Sequence, residues 1–507
     1  MTASTLSRGS RSFEVFARLA RPNITIELKH EAEGIAHSYT TGDQIQGTVI
    51  VTAEHLTSFD EIEIKLEGIQ SVTVERGQIP GRSGAYQTFL RLRQPMEEST
   101  YPMPRVLEPG LTYKFPFTFV VPQRLLPHAC SHDKKNVHLE HAHTLLPPTL
   151  GDPLLASDGR SLLDDLAPHM CRITYQVSAD VIQKPVVGPP KSLQLVNKKI
   201  RIVPAVEEEP PLTVLDTDPV YCTRKEKDVR RGTMRPKLGR LVAAASQPKP
   251  VQLNPPNVEP CDSVSTCATI HLRFDPVGNE TPPSLGIVWS KLRASTYAAA
   301  SPWQDYPNTS SVSALGQMGQ MVYTESVPLS TMCVESAQWT KHTIGDLIRR
   351  DSLQSTSSRE SLTGPPPSSS FSGTAFYLAS ITVPVTLPKN KLFLPTFHSC
   401  LISRIYTLEL CTSYHTPNMN ILTPTVSLKL PIQFTSRPRP RATLTQLPEI
   451  TQDEVNAEFF CPRSVAPPAA TSLPDPAPPA YSGFLAPPQR RALPASSQPP
   501  TRQVRCQ

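Results

Sequence analysis

The sequence has no run near the ~20 consecutive apolar residues that a membrane-crossing helix needs, so no helical span is expected. It has no CxxC pair; its ten cysteines are spread from Cys130 to Cys506. That spread points to reduced thiols in the cytosol, not to a disulfide framework. The first twenty residues carry arginines but no continuous apolar stretch, so secretion is not expected. The Cys506-Gln507 end is not a prenylation box. There is no GxSxG, P-loop, HExxH or GxGxxG, so no enzyme and no cofactor are expected. Charge is sparse, at 19 % of residues with a net +6, and the basic residues are scattered. No nucleic-acid footprint follows from that pattern.

What the chain has in excess is proline, at 56 of 507 residues. Proline stops helices and punctuates strands, which argues against a mainly helical fold. From Pro22 onward the apolar residues alternate. Ile24, Ile26 and Leu28 share one face, as do Ile62, Ile64 and Leu66, and Tyr113, Phe115, Phe117, Phe119 and Val121. Ile173, Tyr175, Val177, Ala179 and Val181 repeat the pattern, and residues 193–203 close a first unit. Period 2 means half-buried strands, and short strands between Gly, Pro and Asp turns mean antiparallel sandwiches. Pro116 within its strand points to an edge or a bulge. A short helix is expected around Leu162–Leu166.

A second β-unit follows, with Ile270, Leu272 and Phe274 alternating and a strand with a turn over 285–297. Strands are also expected at 376–387, 404–410 and 425–434. The fold class is therefore all-β: two tandem antiparallel β-sandwiches. The expected division is a disordered 1–21, a sandwich at 22–206, a linker at 207–211 and a second sandwich at 212–435. Serine- and proline-rich residues 301–373 are expected to be a disordered insertion in the second. Residues 436–507 form a disordered proline-rich tail: between Cys461 and Gln507, 12 of 47 residues are proline, which implies an extended chain.

Pro478-Pro479-Ala480-Tyr481 lies in that tail. The prolines pre-set an extended left-handed helix from which Tyr481 projects an amphipathic ring, a shape that the aromatic grooves of WW domains bind. Pro478, Pro479 and Tyr481 are the expected WW-binding residues. Ser352 follows Arg349-Arg350-Asp351 and Ser361 follows Arg359-Glu360. Both are candidate phosphorylation sites, and a phosphate there would offer a dock for a phosphoserine-binding partner.

The layout resembles the arrestin fold, and in particular the fungal arrestin-related (alpha-arrestin) adaptors of ubiquitin ligases. The resemblance rests on PNITIELKH followed by Tyr39–Gly47 with its Gly42-Asp43 turn, on YKFPFTFVVP, and on the loops LPHAC (126–130) and LLPPTLG (145–151). LPTFHSCLISRIYTLEL (394–410) and VSLKLPIQ (426–433) resemble the family's closing strands. The resemblance spans roughly 22–435. It implies arrestin-like N and C domains that recognise integral membrane transporters or receptors as cargo. It also implies a PPxY that engages a WW-domain HECT-type ubiquitin ligase, and a cytoplasmic protein peripheral at the plasma membrane or endosomes. The adaptor then drives cargo ubiquitination and endocytosis. This sequence has one PPxY where many relatives have two or more. The alternative is an arrestin-type signalling or vesicle-sorting scaffold with no ubiquitin step.

One loop is crowded with His128, Cys130, His132, His138, His141 and His143, of which Cys130, His132, His141 and His143 are the candidate metal ligands. Imidazole and thiolate suit zinc, but the spacing fits no closed structural pattern and no second cysteine is near in sequence. The expectation is a polar loop without metal. Cys400 and Cys411 read as core thiols. Lys198-Lys199 and the Arg224–Arg231 cluster read as solvated surface, with anionic lipid as the competing reading.

Overall fold

Alternation is realised as sheet almost throughout. The structure, a computed structural model, describes residues 21–29, 37–75, 82–157, 161–185, 187–231, 236–256, 264–309, 319–343, 364–416 and 423–439. The described residues belong to one compact unit, and residues 440–507 lie outside them.

In the first half, strands Asn23–Leu28, Gln44–Thr52 and Thr112–Val120 form a three-stranded antiparallel sheet. Pro116 sits opposite Thr48 on the edge strand of this sheet, so its missing N–H costs no ladder bond on the open side. A five-stranded sheet runs in the order Ser38–Tyr39, Lys191–Ile202, Cys171–Gln183, Glu61–Glu75, Arg82–Arg93. Alternate residues of both sheets meet in one core, with Ile24, Ile26, Val49, Phe115 and Phe117 from the first and Ile62, Ile64, Tyr175 and Val177 from the second. Each large side chain so buried contributes about 1.5–3 kcal/mol.

The second half repeats the plan. Arg224–Arg230, Lys237–Ala244, Ser265–Pro276, Ala375–Thr386 and Thr340–Thr343 form one antiparallel sheet. Gln320–Cys333, Ser284–Ala299, Ile402–His415 and Phe397–His398 form another, with Thr425–Ile432 also on Ile402–His415. A second core joins them through Leu241, Phe274, Leu292, Val383, Leu408 and Leu430.

Three expectations are corrected. Residues 301–373 are not wholly disordered: they contain the strands Gln320–Cys333 and Thr340–Thr343, while 310–318 and 344–363 lie outside the described residues. Among the described residues the Gln320–Cys333 strand pairs with Ser284–Ala299 alone and fully buries only Val327, so an edge strand carries little apolar signal. Leu162–Leu166 is not a helix. The Asp164 and Asp165 carboxylates accept from the backbone N–H of Leu166 and Ala167, and Leu166 takes φ +59°, a turn that competes with helix. The helix is instead Val137–Thr144. Residues 285–297 hold no turn: Ser284–Ala299 is one strand whose register shifts between Leu285 and Val288.

The two cores are tied by residues 394–404. Leu394, Phe397, Leu401 and Ile402, though late in the sequence, pack in the first core. Arg404 is fully buried; its guanidinium donates to Thr296 Oγ1 (2.8 Å), Asp165 O (3.1 Å) and Leu166 O (3.1 Å). A buried guanidinium persists only where its fork is satisfied, and these acceptors do that.

Candidate functional site

The loop after strand Thr112–Val120 is built by local signals. Pro127 opens a single 3-10 turn, Pro127–Cys130, where its missing N–H is no loss. Asn136 caps the helix Val137–Thr144, its side chain accepting from His138 N at 2.9 Å. In this helix His143 points inward and is buried. His141, two residues earlier, lies about 200° around the helix axis and meets Arg124, with both ring nitrogens 3.1 Å from the guanidinium.

Cys400 arrives from the other half, in the tight connection between Phe397–His398 and Ile402–His415. Ser399 N donates to Ile402 O at 2.9 Å and closes this turn. Trp303 N donates to Cys400 O at 2.9 Å, and Trp303 Nε1 donates to Leu401 O at 3.2 Å. A buried polar chain then links the turn to the loop. Ser399 Oγ donates to Gln70 Oε1 (2.8 Å), Gln70 Nε2 to Gln87 Oε1 (2.8 Å), and Gln87 Nε2 to Ala129 O (3.1 Å). Cys130 O accepts from Lys134 Nζ at 2.9 Å.

These anchors bring four donor atoms together. Cys130 Sγ lies 3.1 Å from His132 Nε2, 3.5 Å from His143 Nδ1 and 3.4 Å from Cys400 Sγ; the two imidazole nitrogens are 3.3 Å apart. All four lie within 4.8 Å of one another. His132 Nδ1–H donates to Asp133 O at 3.0 Å, which fixes the tautomer and leaves Nε2 with a free lone pair. Burial, then the neighbouring His132, His398 and Lys134, pushes the His143 pKa down to about 3, so its imidazole is neutral. Burial, then Cys130, pushes the Cys400 thiol up to about 12. His143 Nε2 is buried without a hydrogen-bond partner among the described residues.

Of the loop residues singled out from the sequence, the structure brings Cys130, His132 and His143 together, while the helix turns His141 onto Arg124. Cys400, 270 residues from Cys130, has no signal in the sequence; no local spacing can reveal a donor supplied by a distant hairpin. The basic clusters are largely neutralised: Lys199 pairs with Asp152, Arg224 with Glu226, Arg230 with Asp228 and Arg231 with Glu280. Pro478, Pro479, Tyr481, Ser352 and Ser361 lie outside the described residues. No helix among the described residues is long and apolar enough to cross a membrane.

A family model described as the Bul1 N terminus matches residues 92–155, from the end of strand Arg82–Arg93 past the helix Val137–Thr144. No curated protein matches the chain.

Proposed function

We propose that the chain is a non-enzymatic adaptor that brings a WW-domain HECT-type ubiquitin ligase to membrane-protein cargo. The observation that carries this reading is the match of residues 92–155 to the N terminus of Bul1, an arrestin-related ubiquitin-ligase adaptor-like protein. The paired antiparallel sheets, read as sandwiches over 22–206 and 212–435 joined at 207–211, support it by offering rigid surfaces for cargo. Pro478, Pro479 and Tyr481 supply the ligase contact, and the adaptor works by raising the ligase concentration at bound transporters or receptors. The protein acts at the cytoplasmic face of the plasma membrane or endosomes. Phosphorylation at Ser352 or Ser361 adds a dock for a phosphoserine-binding protein.

A single PPxY is a weak ligand, so its aromatic anchor dominates the contact. Tyr481→Ala in the full chain is expected to weaken binding to an immobilised WW-domain HECT ligase roughly tenfold or more, with an unchanged melting curve. Equal retention of both proteins on the ligase column would overturn the reading.

A further inference from the structure

We propose that Cys130, His132, His143 and Cys400 bind one zinc ion, a four-ligand structural clip joining the 127–143 loop of the first half to the Cys400 hairpin of the second. The distances carry this. A tetrahedral site with Zn–S near about 2.3 Å and Zn–N near about 2.0–2.1 Å has edges of roughly 3.8 Å between sulfurs, roughly 3.3 Å between nitrogens and roughly 3.6 Å between sulfur and nitrogen. The four donors stand at 3.4 Å (S···S), 3.3 Å (N···N), and 3.1 and 3.5 Å (S···N). These four edges are within about half an ångström of the tetrahedron or shorter, and the two from Cys400 Sγ to the imidazole nitrogens are no longer than 4.8 Å, so a small inward shift of Cys400 closes the set on one point.

The chemistry agrees with the spacing. Two thiolates and two neutral imidazoles are a preferred set for zinc, and their charge cancels that of Zn²⁺, so the filled site is neutral and suits its burial. Binding is balanced by release of the two thiol protons to solvent: Zn²⁺ plus two RSH gives the bis-thiolate complex and two H⁺. His132 carries the outer-shell bond that metal-bound histidines make, from Nδ1–H to the carbonyl of Asp133. Cys130 and Cys400 are buried and His132 is partly buried, and four protein donors leave no open position for water or substrate. That separates the site from catalytic zinc and from a Cys–His nucleophile. A disulfide needs its sulfurs near about 2.05 Å and has no use for two imidazoles aimed at it.

The test uses the full chain purified under reducing conditions without chelator. Metal analysis should find about one zinc per chain. Zinc should leave on treatment with a thiol-specific mercurial. Cobalt(II) added to the stripped protein should give the visible bands of a tetrahedral ion and a thiolate charge-transfer band. Cys400→Ser and His132→Ala should lose the bound zinc, whereas His141→Ala, whose side chain faces Arg124, should keep it. Stripped protein should melt earlier than the zinc form, and zinc but not magnesium should restore it. Zinc-free protein whose reduced form takes up neither zinc nor cobalt would overturn the proposal. So would a Cys130–Cys400 disulfide, seen as two thiols that alkylate only after reduction. If Cys400→Ser does not fold, the cobalt titration of the wild-type chain decides alone.

Discussion

Arg404→Met is expected to destabilise the chain by about 2–5 kcal/mol, seen as a lower urea midpoint at unchanged slope. Methionine fills much of the volume and removes a buried charge, which on its own is favourable. What it cannot supply is donors for Asp165 O and Leu166 O, each now 3.1 Å from a guanidinium N–H in a region closed to water. An orphaned buried carbonyl costs about 1–3 kcal/mol, and two are created together. The 165–166 turn also holds Leu166 at φ +59°, a conformation that a leucine adopts only when its surroundings impose it. Arg404 is one of those surroundings, so its loss frees the turn to relax. Arg404→Lys is expected to be no milder than methionine. A lysine keeps the charge but cannot span Thr296 Oγ1 and two carbonyls in the planar geometry of the fork. A lysine variant within about 1 kcal/mol of wild type would show that buried charge, not the fork, is what the site needs.

Much of this architecture is legible from the sequence because the physics is local. Ile62, Ile64 and Leu66 alternate with Glu61, Glu63 and Lys65, and the first three are buried while Glu61 and Glu63 pair outward with Arg93. The same holds for Phe115, Phe117 and Phe119 around Pro116. The edge strand Gln320–Cys333 is not legible in this way, since one neighbour and a solvated face demand few apolar residues. The Leu162–Leu166 misreading has a different cause: a Leu-Leu-Asp-Asp-Leu spacing suits a helix, but adjacent aspartates capture backbone N–H groups first. At the cluster, a spacing of two would put His141 and His143 on one face of a strand; in the helix Val137–Thr144 the same spacing sends them apart. Cys400 was identified as a buried thiol but not as a partner, because the pairing of Phe397–His398 with Ile402–His415, and not any spacing, sets its position.

Gly47→Ala is expected to cost about 3 kcal/mol, a large effect for one methyl group on an otherwise ordinary strand. A Cβ at Gly47 would lie 2.3 Å from Glu27 O and 2.5 Å from Phe117 Cζ. The ring of Phe117, from the residue paired directly opposite, covers the glycine, an arrangement in which an aromatic shields the backbone that a glycine leaves bare. Two obstacles of different stiffness can be separated by a double-mutant cycle with Phe117→Leu. Phe117→Leu alone should cost about 1–2 kcal/mol from lost contact in the core. In the double mutant the ring no longer opposes the new methyl, so the combined cost should fall below the sum by about 1 kcal/mol. The recovery should stay partial. Glu27 O belongs to the ladder of Asn23–Leu28 on Gln44–Thr52, and it cannot retreat without opening hydrogen bonds. Strict additivity would mean that the carbonyl alone sets the cost; full recovery would mean that the ring does. The second half allows the same measurement at Gly239, where a Cβ would meet Asp275 O and Phe274 Cζ, both at 2.5 Å. Phe274 is fully buried in its core while Phe117 keeps slight exposure, so its ring has less room to yield, and Gly239→Ala should be the costlier of the two.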